Sequence, residues 1–172
     1  LAAGDLDAAL SLLASQVGQK GWRKVAKDLG ALKRKGISIQ VGTEGHDVYR
    51  LREGVVLDPG GNDRYEFPDS ARPGTWLLVL DLGGDDEYHA GDTVGGAAAL
   101  LSVQAIADMG GDDRYLGKDF AFGSALAGYS LLFDASGGDR YEARCASLGF
   151  AFQGIGRVQD GGGNDVYSSA FL

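Results

Sequence analysis

Ten aspartates recur in pairs along the chain: Asp58 and Asp63, Asp81 and Asp86, Asp108 and Asp113, Asp134 and Asp139, Asp160 and Asp165. Each pair frames one eight-residue phrase, DPGGNDRY, DLGGDDEY, DMGGDDRY, DASGGDRY or DGGGNDVY, with Asp first, Gly fourth, Asp sixth and Tyr eighth. Two carboxylates set across a Gly-rich turn suit a hard cation. Ca²⁺ accepts oxygens from carboxylates and backbone carbonyls in adaptable geometry, whereas Mg²⁺ demands a stricter octahedron and holds on to its water. Glycine turns leave carbonyls open to a ligand. The ten aspartates are therefore the expected ligands and Ca²⁺ the expected ion. The same residues have a second use, because Asp ahead of Gly accepts backbone N–H groups in ordinary turns and stacked Asp or Asn can cap one another's backbone without metal. Both readings stand at the level of sequence.

What must position these pairs is written in their spacing. The phrases begin at steps of 23, 27, 26 and 26 residues, and a fixed period in the twenties is the signature of a solenoid that lays each turn on the one before. A degenerate copy, GTEGHDVY from Gly42, precedes them and keeps Gly45, Asp47 and Tyr49; six of the seven tyrosines thus sit in Asp-x-Tyr units. Past the Tyr the register continues through Asp69, Asp92, Asp119 and Cys145, then Gly96, Gly123 and Gly149. Apolar runs such as LLVL and SLLF lead into each next Asp and read as buried strands.

At about 3.3 Å per residue of strand, some 26 residues make a coil of three short sides and their corners. The fold expected is an all-β solenoid, a parallel β-helix of about five coils over residues 37–172, with a right-handed coil the favoured hand for parallel crossovers. One stretch, GGAAALLSVQAIA, keeps open a rival fold with a short helix in each period. Stacked carboxylates would repeat at about 4.8 Å. At that distance like charges repel by roughly 1 kcal/mol in water and about 3–4 kcal/mol at an effective dielectric near 20, a cost that bound cations offset.

The phrases GGNDRY (60–65), GGDDEY (83–88), GGDDRY (110–115) and GGNDVY (162–167) resemble the second half of the nonapeptide in the repeats-in-toxin group, bacterial secreted proteins whose parallel β-rolls bind Ca²⁺. The resemblance implies a calcium-binding role for Asp63, Asp86, Asp113, Asp139 and Asp165. It covers about eight residues per coil. Those repeats return every nine residues, whereas here one phrase occurs per 23 to 27 and the apolar position is Tyr.

Charge divides the chain. Residues 1–36 carry seven basic and three acidic side chains, and residues 37–172 carry nine and 21. Leu6, Leu10, Leu13 and Val17, then Trp22, Val25, Ala26, Leu29 and Leu32, fall at helical spacing. Residues 1–36 are thus expected to form a small helical cap that shields the terminal coil of an acidic solenoid. Lys20, Arg23, Lys24, Lys27, Lys33, Arg34 and Lys35 read as its solvated face, and with a pI near 4.6 no nucleic-acid partner is expected. No run is long enough to span a bilayer. A first residue of Leu suits a mature or excised segment. The last copy ends five residues past Tyr167, so an open C-terminal coil is expected to self-associate or to be completed by more chain.

Cys145 occupies the column of Asp69, Asp92 and Asp119, which makes it a replacement within a repeat rather than a nucleophile. His46 and His89 lack metal-binding spacing, and no triad, phosphate loop or dinucleotide fingerprint occurs. No catalytic residue is expected. The sequence therefore favours a non-enzymatic, secreted or cell-surface repeat module that binds divalent cations in stacked Asp/Gly turns and packs into filaments or adhesive arrays, since calcium of modest affinity is used mainly outside the cytosol. The alternative is a calcium-dependent, lyase-like polysaccharide enzyme with Arg114, Arg140 or Arg144 as the base.

Overall fold

A computed structural model describes residues 38–68, 72–91 and 98–170. The expected helical cap, its boundary with the repeats, and Asp69, Asp92 and Gly96 of the fainter columns lie outside them.

The described chain is an all-β parallel solenoid. Its first sheet stacks β1 (Ile39–Val41), β3 (Gly54–Asp58), β5 (Trp76–Asp81), β8 (Val103–Asp108), β11 (Tyr129–Asp134) and β14 (Ile155–Asp160). The second stacks β2 (Val48–Arg50), β4 (Arg64–Glu66), β6 (Glu87–His89), β9 (Arg114–Leu116), β12 (Arg140–Ala143) and β15 (Val166–Ser169). A third, shorter sheet holds β7 (Ala98–Leu100), β10 (Ser124–Leu126) and β13 (Ala151–Phe152). Every strand pairing is parallel. The five phrases delimit four complete turns between Asp58 and Asp160, with partial turns at either end, which refines the expected coil number.

The stretch that kept a helical rival open is β7 and β8, and the described residues contain no helix. Its small residues serve another purpose. In β8 burial rises from exposed Val103 through buried Gln104 to Ile106, Ala107 and Asp108, and each residue has its partner in β5 and β11.

Register is kept at every turn. Asp58, Asp81, Asp108, Asp134 and Asp160 are paired in sequence across the first sheet, as are Tyr49, Tyr65, Tyr88, Tyr115, Tyr141 and Tyr167 across the second. The tyrosine rings form one continuous stack with centroids 4.5–4.9 Å apart, the spacing of neighbouring strands. Opposite them, Val56, Val79, Ile106 and Leu132 fill the interior. The other face of the first sheet carries a second apolar cluster around Leu80, Ala107, Leu131 and Phe133.

On the third side the corners are held left-handed without glycine. Leu101, Ala127 and Gln153 have φ of 47°, 54° and 53° at equivalent places, a conformation that costs L-residues roughly 1 kcal/mol or more. Hydrogen bonds between turns hold it, with the Leu101 and Ala127 N–H groups donating to the carbonyls of Leu126 and Phe152 at 3.1 and 2.8 Å.

The acidic turn has a stricter need. At its fourth position Gly84 has φ +140°, and an added Cβ would lie 1.4 Å from the Gly61 carbonyl oxygen of the neighbouring turn. Gly111 and Gly163 meet Gly84 and Gly137 in the same way. The invariant glycine is thus fixed by a backbone-to-backbone approach. Gly84→Ala is expected to lower unfolding free energy by about 3 kcal/mol or more, combining a glycine-only conformation with overpacking; urea unfolding followed by far-UV circular dichroism measures it.

Candidate metal centre

Each acidic turn links a strand of the first sheet to a strand of the second. Its first Asp ends the former, and its sixth residue directly precedes the latter. Because side chains alternate along a strand, the first Asp points inward with Val56 or Val79 two residues before it, and the sixth points inward with the Tyr two residues after it. Both carboxylate columns therefore lie inside the solenoid. Asp58, Asp63, Asp81, Asp86, Asp108, Asp113, Asp134 and Asp139 are at most 2% exposed. Asp160 and Asp165 are half-buried.

The first column is held from two sides. Oδ1 of Asp58, Asp81, Asp108 and Asp160 accepts the N–H of the glycine two residues on, at 2.7–2.9 Å. Oδ2 accepts a tyrosine hydroxyl, from Tyr49 to Asp58, Tyr65 to Asp81, Tyr88 to Asp108 at 2.6 Å, and Tyr115 to Asp134 at 2.7 Å. These hydroxyls come from the preceding phrase, so each bond ties consecutive turns together. At the end of the stack Tyr141 also reaches Asp134, at 3.2 Å, and Tyr167 serves its own Asp160 at 2.5 Å.

The second column caps backbone. Oδ1 of Asp63, Asp86, Asp113, Asp139 and Asp165 accepts the N–H of the equivalent Asp one turn earlier, at 2.6–3.0 Å. The capping role is therefore real, yet it uses only half of each carboxylate. Oδ2 of Asp63, Asp86, Asp113 and Asp139 is buried with no hydrogen-bond partner. A buried polar atom left so is costly unless an ion, a proton or water meets it.

The two columns converge into five three-carboxylate clusters, in each of which ligand atoms lie within 4.8 Å of one another: Asp47, Asp58 and Asp63; Asp63, Asp81 and Asp86; Asp86, Asp108 and Asp113; Asp113, Asp134 and Asp139; Asp139, Asp160 and Asp165. All ten aspartates singled out from the sequence are among them. Asp47 was missed, although its place in the degenerate copy marked it. The softer fifth position forms a separate exposed ladder, in which the N–H groups of Asp85, Asp112 and Gly138 donate to side chains of Asn62, Asp85 and Asp112 at 3.2, 3.0 and 2.8 Å.

Among the described residues the ion pairs lie away from the columns. Ion pairs on the outer face of the second sheet join Arg50 to Glu66, Arg64 to Glu66 and Glu87, and Arg140 to Glu142. Arg114 and Arg140 point outward there, and Arg144 pairs with Asp119 at 2.9 Å. The bases of the lyase-like alternative thus stand apart from the carboxylate columns. Cys145 is exposed, with its N–H bonded to Asp119 at 3.2 Å, as its column predicted. His46, exposed, bonds the Asn62 carbonyl, and His89 contacts Glu87 at 3.0 Å. No helix among the described residues is long and apolar enough to cross a membrane.

Burial drives the column carboxyls upward. Desolvation is the largest cause at each, reinforced by neighbouring aspartates and opposed by the donors just described, so that Asp58 and Asp134 rise to about 6 and Asp81 to about 9. Asp86, Asp108 and Asp139 rise to about 7, Asp113 to about 10, and Asp63 moves in the same direction. Burial also raises the stacked tyrosines, which stay neutral hydroxyl donors.

Comparison with protein-family models, curated proteins and solved structures finds no match to the chain. Its chemistry is read from the geometry alone.

The raised pKa values fix the sign of a pH dependence. The folded protein without divalent ions binds more protons than the unfolded chain between the ordinary Asp value near 3.8 and the folded values, so stability is greatest at the acid end of that window and falls as pH rises from about 4 to the folded values of about 6 to 10. Ligation needs ionised carboxylates, so any cation held by these clusters would bind more strongly over the same range. Melting temperatures recorded against pH in chelator should therefore decline toward alkaline pH, and a divalent cation that binds the clusters should flatten or reverse that slope.

Proposed function

We propose that the protein is a non-enzymatic, cation-binding repeat module whose two buried aspartate columns hold a row of Ca²⁺ ions. The observation that carries this reading is the set of unpartnered, buried Oδ2 atoms of Asp63, Asp86, Asp113 and Asp139, each within a cluster of three carboxylates. Two carboxylates per turn balance one divalent cation per turn, and the clusters share Asp63, Asp86, Asp113 and Asp139, so neighbouring ions would be bridged. All-oxygen donors select a hard ion, and a dry carboxylate cluster favours Ca²⁺ over Mg²⁺, which keeps its water.

Ion binding of this kind is folding energy, because the unfolded chain has no site. The module would stiffen where calcium is abundant, which supports a place outside the cell or on its surface. On the same reading, the regular outer faces of the stacked repeats would serve packing into filaments or adhesive arrays.

Calcium titration of chelator-treated protein, read by thermal melting, tests the reading. At about a hundredfold excess over Kd each site adds roughly 2.7 kcal/mol, which raises Tm by several degrees for a chain of this size. Asp86→Asn with Asp113→Asn should lose most of that rise. The metal-free variant should melt no lower than the parent, since Asn keeps the backbone cap and removes a buried ionisable group. An identical melting curve with and without millimolar Ca²⁺ would overturn the proposal.

A further inference from the structure

The structure points to unequal clusters: we infer that the site formed by Asp113, Asp134 and Asp139 is the tightest for a divalent cation, because Ser136 replaces the glycine found in the other four turns. This deepens, and rests on, the cation-binding reading above.

In the other turns the third residue is Gly60, Gly83, Gly110 or Gly162, with φ between +127° and +143°, and its N–H donates to Oδ1 of the first Asp. A tyrosine hydroxyl takes Oδ2 of the same residue. Both oxygens of Asp58, Asp81, Asp108 and Asp160 are thereby committed to donors. Ser136 does not adopt the positive φ, and an L-residue there would be strained. Its N–H leaves Asp134 unserved. Oδ1 of Asp134 is consequently buried and without a partner, in a residue with no exposed surface, while Oδ2 accepts Tyr115 and Tyr141.

The neighbours add two more free oxygens, Oδ2 of Asp113 and Oδ2 of Asp139. This cluster thus offers three uncommitted carboxylate oxygens, one from each member. The clusters around Asp81 and Asp108 offer two, both from second-column residues. In the cluster of Asp47, Asp58 and Asp63 both oxygens of Asp58 are committed and Oδ2 of Asp47 accepts from Thr43, and in the cluster of Asp139, Asp160 and Asp165 both oxygens of Asp160 are committed. A cation entering beside Asp134 meets a ligand with no backbone donor to share, in a stretch as dry as that around Asp81 and Asp108.

Isothermal titration of the chelator-treated chain with Ca²⁺ tests this. The expected isotherm has one site about tenfold tighter than the rest, the ratio associated with freeing one charged acceptor from a hydrogen bond. Ser136→Gly, which restores the donor, should merge that site with the others, and Asp134→Asn should remove it. Asp81→Asn should remove a weaker site and keep the tight one. Far-UV circular dichroism checks that each variant folds, and if Ser136→Gly does not, Asp134→Asn and Asp81→Asn still discriminate. A single class of sites in the parent, or a tight site that survives both Ser136→Gly and Asp134→Asn, overturns the inference but leaves the cation reading standing. Absence of any calcium binding overturns both.

Discussion

The burial of two carboxylates in every turn is the constraint from which the rest of the architecture follows. A carboxylate inside a protein must find donors, protons or cations, and among the described residues the donors come from two places. One is the turn itself, through a glycine N–H and, for Asp134 and Asp160, their own phrase's tyrosine; the other is the adjoining turn, through a tyrosine hydroxyl or an aspartate N–H. Both of the latter work only when consecutive turns are superposed residue on residue. A slip by one would put each Asp and Tyr on the opposite face of its strand. Register is therefore enforced by polar chemistry in the interior, and the apolar residues opposite add volume to a lattice already specified.

The same chemistry ties the turn conformation to the ladder. The fourth-position glycine gives up its Cβ so that backbones of adjacent turns can approach, and that approach lets the second Asp reach the N–H one turn back. Tyrosine serves twice, since its ring stacks on equivalent rings while its hydroxyl crosses to the next phrase. One residue type thus couples apolar packing to the polar column, which explains why Tyr rather than Phe follows Asp in all six copies.

Much of this was legible in the sequence, because a solenoid writes its repeat directly into residue spacing. The steps from Asp58 to Asp160 spell out the ladder. The apolar runs before each Asp gave the first sheet, and the Asp-x-Tyr units gave the second. What was not legible was direction and depth. Aspartate carries no mark that tells an inward column from an exposed one, and the bond from Tyr65 to Asp81 spans 16 residues without a local signal. The small-residue segment from Ala98 to Ala107 suited helix and strand alike, and only the partners on either side decide it. Asp47 was hidden by the loss of the first Asp in its copy. The effect of Ser136 lies in a backbone angle rather than in a side chain.

The third side of the coil is the tolerant one. The turn from Asp58 to Asp81 is 23 residues long and has no third-sheet strand among its described residues, whereas the turn from Asp81 to Asp108, which includes β7, takes 27. Both arrive at the next aspartate in phase. Chain length can be gained or lost there while the acidic corner keeps its eight residues in all five copies, so the fold separates a spine of constant length from an editable flank. Foreign loops could be displayed along that flank at regular intervals, one per rung, on a scaffold whose pitch is set elsewhere.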